Sequence, residues 1–415
     1  MLRNFLSSFF RLQKRGPYDH LSRKEIELQI AELKAANGRL KKQHEVLTTT
    51  ETTRRDSKLK SDQQQEQRIA IQVAYLGWNY YGFTSSSTEN ENNLPTIEGQ
   101  LMKALLQTKL IQDPTTCDFS LSGRTDSHVS GIGQVVALNV RCCSQERKKR
   151  QLPYLRILNS ILPPDIRVLA WTPVSPQFHA RFDCLSRTYH YYFPTQELCI
   201  ESMRKAAAYL LGDHDFRNFC KFNPSKNLSH YRRTILSADV SILNQAGFAR
   251  LEIKGTAFLW HQVRCIASIL LLVGQRLEKP EIVQWLLNVN EVSGKPEYPL
   301  ASGLPLLLYD CEYDQNDLNW HREPSGRTKE HFQLLWSEQM TKALLYRNFV
   351  NAASNFNGGD GGDEKRLSKV KRIQLGANKE IWTAHYKPLM NRRRDEPYTS
   401  KQLKYNASHN TKQNK

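Results

Sequence analysis

Residues 122–140 read SGRTDSHVSGIGQVVALNV, a polar loop that runs directly into an apolar run. The run Gln134 to Val140 predicts a strand leading away from the loop. Within the loop, Asp126 stands two residues after Arg124 and next to Thr125. A carboxylate with a guanidinium beside it has the make-up of a nucleophile that must stay ionised. The neighbouring charge lowers its pKa, and partial removal from water sharpens its reactivity. The same residues also fit a surface turn in which Asp and Ser satisfy backbone donors. The rest of the chain decides between these readings.

Moving outward, Ile69, Ile71 and Val73 alternate with Ala70, Gln72 and Ala74, the pattern of a half-buried strand. Thr96 to Leu110 predicts a helix with Ile97, Leu101, Ala104 and Leu105 on one face, capped by Thr96 and weakened at Gly99. A strand dense in aromatics is expected over Phe182–Phe193, and a helix over Glu201–Leu211 that stops at Gly212. Strands over 235–243 and 248–255 then precede a helix from His261 to Val273. Strand and helix thus follow one another twice within 68–315, which predicts two similar α/β halves sharing a sheet. A further helix is expected over 328–353, and GGDGG at 358–362 marks a flexible break.

The N-terminal part is of another kind. From Ile26 the apolar residues keep a seven-residue register (Ile26, Leu33, Leu40, Leu47, with Ile30, Asn37 and His44 at the second seam), which predicts a short coiled coil. Self-pairing and folding back on the same chain are both open to it. The resulting partition is a basic opening segment (1–20), a coiled coil (21–47), a linker (48–67), two halves (68–195 and 196–315), a helical extension (316–357) and a flexible basic tail (358–415). The opening MLRNFLSSFFRLQKR has four basic residues and no acid, so an amphipathic targeting segment is an alternative there.

The 415 residues and 39% hydrophobic content suffice for a substantial core. The net charge of +18 lies entirely in the two ends: residues 1–60 carry +7 and residues 365–415 carry +11. Between them, 31 cationic residues balance 31 anionic ones, so any anion-binding groove there needs charge segregated onto one face. Eight cysteines (117, 142, 143, 184, 199, 220, 265, 311) form no Cys-x-x-Cys pair, which favours reduced thiols and disfavours a structural metal. No run approaches the roughly 18 apolar residues that span a bilayer.

Three further blocks accompany the Asp126 loop. FHARFDCLSRTYHYYF (178–193) gathers Arg181, Arg187, Tyr189 and Tyr191; LLGDHDFRNFCK spans 210–221; and GTAFLWHQVRCIASILLLVG (255–274) carries Arg264 inside an apolar helix. An arginine among Val263, Ile266, Ala267, Ile269 and Leu270 is costly to bury without an anion. Asp126 is a candidate anion, while snorkelling to water or pairing with Asp183 are the alternatives. In order and spacing these blocks resemble the TruA-type tRNA pseudouridine synthases, whose signatures are Gly-Arg-Thr-Asp, Ala-Arg-Phe with Arg-x-Tyr, Leu-Leu-Gly-x-His-Asp-Phe and Phe-Leu-x-x-x-Val-Arg. The resemblance runs over about 68–314 and takes in LNSILPPDIRV (158–168), RRTI (232–235) and PLASGLPLLL (299–308). The leading coil, ALLYRNFV and YKPLMNRRRDEP (386–397) look like the eukaryotic branch that modifies uridines 38 and 39 of the anticodon arm.

This resemblance implies an α+β pseudouridine synthase fold, two related halves around a central, mostly antiparallel sheet, preceded by the coiled coil. It implies Asp126 as the catalytic carboxylate and Arg124 holding the target nucleotide out of the stack. Tyr189 would contact the uracil, Arg264 would pair with Asp126, and Arg181 and Arg187 would belong to the substrate-binding set. The reaction breaks the N1–C1′ bond, turns the base and rejoins it through C5, so no cofactor or metal is expected. The partners implied are tRNA and a second copy of the chain, in the nucleus or cytoplasm, with mitochondria as the alternative. Arg147, Lys148, Lys149 and Arg150, together with Arg392, Arg393 and Arg394 in a tail too charged to pack, are candidates for the RNA backbone. One departure stands out: the family usually has Gly two places after the Asp, and this chain has His128. Glycine supplies positive φ at such a position, so the loop is expected to be reshaped there. A catalytically silent tRNA-binding protein, a synthase for other tRNA positions and a coil-dimerised scaffold are the rival readings.

Overall fold

A computed structural model describes residues 65–84, 94–142, 151–223, 228, 230–243, 247–314, 318–322, 326–356, 371–377 and 379–413. The coiled coil, the opening segment, the cluster Arg147–Arg150 and the GGDGG break lie outside those residues. The main sheet is assembled from β1 (Glu66–Tyr75), β2 (Ser120–Leu121), β3 (Ser130–Arg141), β4 (Ile166–Pro173), β5 (Ser186–Pro194), β6 (Gly212–Asp215), β7 (Arg232–Ile242), β8 (Phe248–Gly255), β9 (Leu306–Glu312) and β10 (His321–Arg322). Their order is β10-β4-β1-β3-β9-β5-β8-β7-β6, with β2 paired to β3. The pairs are antiparallel except β3 with β9, which run parallel where the two parts of the sheet meet.

Alternation along β1 places Ile69, Ile71 and Val73 on one face, over helix α1 (Ile97–Gln107). Thr96 caps α1 by accepting from the Gly99 N–H at 3.1 Å, and its buried face is Ile97, Leu101, Ala104 and Leu105, as the spacing predicts. Burial of each such side chain contributes about 1.5–3 kcal/mol. The opposite face of β1 is not solvated, which corrects the expectation of a half-buried strand. Ala70 and its partner Ala137 are fully buried in a separate core beneath Phe178, Ala180 and Tyr313. The short helix α2 (Tyr154–Asn159) closes the first core.

The second core gathers α3 (Ile200–Ala208), α4 (Gln262–Gly274) and α5 (Ile282–Leu287) with β5, β7 and β8. Nearly every residue of α4 is buried, and apart from Gln262, Arg264 and Ser268 the helix is apolar on all sides. Two expectations shift here. The strand foreseen from Phe182 begins only at Ser186, because residues 179–183 close a turn: the amides of Phe182 and Asp183 donate to the His179 carbonyl, and the Asp183 carboxylate accepts from the His179 amide. Helix α3 ends at Ala208 rather than Leu211, and Gly212, at φ +96°, opens β6.

The C-terminal stretch brings the largest correction. Among its described residues it is not a flexible tail. β11 (Lys371–Gln374) and β12 (Glu380–Thr383) form a hairpin, and Ile373, Leu375, Leu389 and Tyr398 are buried in the second core, with α7 (Tyr398–Gln413) following. The cationic residues stay outward while Leu389 and Tyr398 are drawn in: Arg393 and Arg394 are exposed and Arg392 half-buried, and Arg392 and Arg394 lie over the rings of Tyr386 and Trp285. Ahead of this hairpin, α6 (Arg327–Phe356) is longer than foreseen, and from Trp336 to Ser354 its side chains are exposed.

Candidate active site

The loop that joins β2 to β3 holds Asp126, and nearly every polar group in it has a tether from elsewhere. Ser122 Oγ meets the side chain of Gln134, which is fully buried and donates from Nε2 to the Gly123 carbonyl at 2.6 Å. Arg187 donates to the Ser122 carbonyl at 2.9 Å. Thr125 Oγ1 shares a 2.9 Å hydrogen bond with Tyr75 Oη, and the Thr125 carbonyl accepts from the Phe83 amide at 3.1 Å. The His128 amide donates to the Tyr80 carbonyl at 3.1 Å. Gly77 packs so closely beneath that an added Cβ would lie 1.9 Å from the Val129 carbonyl oxygen.

His128 adopts φ +67°. The backbone at this position is therefore left-handed, a conformation that glycine takes freely and histidine only at a cost. The strain is offset by Nδ1, 2.8 Å from the Trp78 carbonyl, and by the ring of Tyr81 at 6.0 Å.

Across 138 residues of chain, Arg264 reaches Asp126: its Nη1 lies 3.4 Å from Oδ2, while Nε donates to the Ala301 carbonyl at 2.9 Å. Both side chains are mostly covered, at 14% and 21% exposure. Of the alternatives for Arg264, snorkelling and Asp183, neither is realised; Asp183 is held by its own turn. Burial pushes the Asp126 carboxyl above the usual carboxylate range, against the pull of the Arg264 charge and hydrogen bond, the Trp260 indole and Lys221. The built-in cation is thus not Arg124, which is exposed and acts instead on Glu98. A two-residue spacing in a turned loop points the guanidinium away from the carboxylate it precedes.

Tyr189 on β5 stands close to the loop, its hydroxyl 3.9 Å from where a Gly123 Cβ would be, and edge-on to Phe258 at 5.1 Å. Burial raises its phenol, with further upward contributions from Cys311 and Asp126. Arg187 has a different place from the one expected: it is buried, and Nη1 and Nη2 donate to the carbonyls of Cys184, Thr256, Ser122 and Arg181 at 2.7–3.1 Å. With both terminal nitrogens bonded to backbone carbonyls, it acts as a staple under the loop. Arg181 is exposed and contributes only backbone to that staple.

Three contributors escaped the sequence reading. His261 has Nε2 3.4 Å from Oδ2 of Asp126, the Trp260 indole pulls the pKa of the same carboxyl down, and the Lys221 ammonium lies 5.1 Å over the Trp260 ring. The only available signal was their position beside Arg264 and in the 210–221 block. Next to Lys221 opens a cavity of about 590 Å³ lined by Lys295, Tyr298, Lys387, Arg392 and Arg393 among others. Arg392 donates to the carbonyls of Lys387 and Glu297, Arg394 to that of Glu291, and Arg393 is exposed. No cluster of three His, Cys, Asp or Glu side chains suited to a metal occurs among the described residues, and no helix among them is long and apolar enough to cross a membrane.

The family model described as tRNA pseudouridine synthase matches residues 206–314. The tRNA pseudouridine(38/39) synthase of Homo sapiens is 41% identical over 305 residues, covering 67% of this chain and 62% of that protein, so this chain spans just under two thirds of the human relative. The Mus musculus protein of the same name is 37% identical over 357 residues (78% and 72% covered), and that of Saccharomyces cerevisiae 36% over 364 residues (82% and 80%).

Proposed function

The chain belongs to the tRNA pseudouridine synthase family, and from that premise we propose that it isomerises uridine to pseudouridine at positions 38 and 39 of the tRNA anticodon arm, with Asp126 as the catalytic carboxylate. The observation that carries the role of Asp126 is the convergence of Arg264 and His261 on one of its oxygens at the base of a tethered loop. Arg264 keeps a largely desolvated carboxylate ionised, and the surrounding low dielectric makes that charge reactive. Arg124, exposed beside the loop, takes the place vacated by the target nucleotide and holds it out of the stack. Flipping a base from a helical stem costs roughly a few kcal/mol, which contact with Tyr189 offsets in part.

The rest of the RNA is met by charge. Lys221, Lys387 and Arg393 at the basic cavity, Arg181 and the segment Arg147–Arg150 contact phosphates, so affinity falls steeply with salt. Arg392 and Arg394, tied to backbone carbonyls and aromatic rings, shape that surface more than they reach from it. The enzyme acts as a homodimer, for which α6 offers an uncovered apolar surface at Leu344, Leu345, Tyr346, Phe349 and Val350. The positive φ kept at His128 removes the main ground for a silent, binding-only protein.

The test is to incubate the purified protein with unmodified tRNA transcripts and map pseudouridine at single-nucleotide resolution. Conversion confined to 38 and 39 is the expected result; conversion elsewhere reassigns the target, and none in any tRNA sinks the enzymatic reading.

A further inference from the structure

His261 precedes α4 at φ +61°, a left-handed conformation unfavourable for a side-chain-bearing residue, and it gives the helix no capping hydrogen bond. Its ring turns inward instead and is 11% exposed. Nε2 lies 3.4 Å from Oδ2 of Asp126, the oxygen that Arg264 also approaches at 3.4 Å; neither contact falls on Oδ1. Nδ1 is buried with no partner, and the Trp260 ring lies against the imidazole at 4.5 Å. Burial, reinforced by Arg264, Lys221 and Lys295, pushes the ring's pKa down to about 3, so at neutral pH it carries one proton. Nε2, with a carboxylate in front of it, is where that proton has an acceptor.

Resting on the proposed function, we propose that His261 is a positioning residue: its ring sets Nε2 against Oδ2 of Asp126, shares that oxygen with Arg264 and turns Oδ1 toward the target nucleotide. A neutral donor suits the task. A second cation at this place would hold the carboxylate charged but also blunt it as a nucleophile, whereas a dipole fixes its orientation at smaller electrostatic cost. The strained backbone at 261 is then the conformation needed to aim the ring away from the helix end and at the carboxylate.

The test uses the full-length protein and tRNA labelled with tritium at uridine C5, followed from pH 5 to 9. Glycine accepts φ +61° without strain, so His261→Gly removes the ring and spares the backbone; His261→Asn tolerates the same φ and returns an amide donor on a shorter arm. We expect H261G to lose about 10- to 100-fold in kcat, with KM and Tm near wild type. The acid limb of kcat should move to higher pH, because the ionised carboxylate, still faced by Arg264, Trp260, Lys221 and Tyr189, has lost a donor; H261N recovers part of the loss. Wild-type kcat and an unmoved acid limb in H261G would overturn the proposal, as would a loss confined to Tm. Histidine-selective ¹⁵N NMR, assigned by difference against H261N, reports the ring state without catalysis. A neutral Nε2–H tautomer that changes in Asp126→Asn supports the pairing even if no tRNA is modified, and an imidazolium or Nδ1–H tautomer refutes it.

Discussion

Compare the Asp126 loop with α6. The loop has almost no regular structure, yet its backbone and side chains are tied to β1, β3, β5 and the segment around Tyr80. Helix α6 is thirty residues of regular backbone whose large apolar side chains are exposed, Leu334 at 73%, Tyr346 at 71% and Phe349 at 69%. Regularity and immobilisation are therefore separate properties here. The Asp126 loop is placed largely by side chain to backbone hydrogen bonds, which fix orientation as well as position, whereas α6 is anchored near its start by His331, against the Pro164 carbonyl and Arg167, and its apolar side chains from Trp336 onward are exposed.

The contrast can be broken or sharpened in order of expected effect. Asp126→Ala should lower pseudouridine formation by roughly three orders of magnitude or more while leaving the tRNA Kd within about threefold, measured by single-turnover tritium release and filter binding. Arg187→Met should cost about 3–5 kcal/mol in urea denaturation because four carbonyls lose their donor; Arg187→Lys should not restore it, since an ammonium cannot reproduce the fork. Arg264→Met removes the largest influence opposing burial, so the carboxyl rises further. The acid limb of the rate profile should then shift to higher pH, and the rate at pH 7 should fall about tenfold or more. His128→Gly keeps the positive φ and should leave stability within about 1 kcal/mol of wild type, whereas His128→Val should lose more. Tyr346→Glu with Phe349→Glu should change unfolding free energy by no more than about 0.5 kcal/mol for each substitution, and should show its effect in sedimentation as a shift from dimer to monomer. A large stability loss from that pair would mean α6 is packed after all, and the contrast would fail.

The parts legible from sequence were those with local signals. The face of α1 and its Thr96 cap followed from periodicity; the cost of burying a lone arginine made Asp126 one candidate partner for Arg264, and the family resemblance singled it out. Arg187 was misjudged because a motif cannot say whether an arginine faces a ligand or its own backbone; that depends on how 181–184 turns. Arg124 was credited with a partner two residues away, when the loop's curvature sends it toward Glu98. His261 and Lys221 went unseen because their relation to Asp126 exists only once α4 and the 210–221 block meet the loop. The C-terminal stretch misled through its composition: cationic residues dominated the count, while Ile373, Leu375, Leu389 and Tyr398 are too widely spaced to register as a core segment.

Those four side chains bear on synthesis as well as stability. The Tyr191 hydroxyl donates to the Leu375 carbonyl 184 residues downstream, an interval the ribosome needs roughly 10–40 s to translate at 5–20 residues per second. Throughout that time β5 is already made, and for the later part α4 as well, but their covering segment is not, leaving apolar surface open to chaperones or to a neighbouring nascent chain. A premature stop anywhere before residue 371 would make this waiting state permanent, so a truncated product that spares Asp126, Tyr189 and Arg264 would still be expected to be degraded rather than to persist as a folded protein.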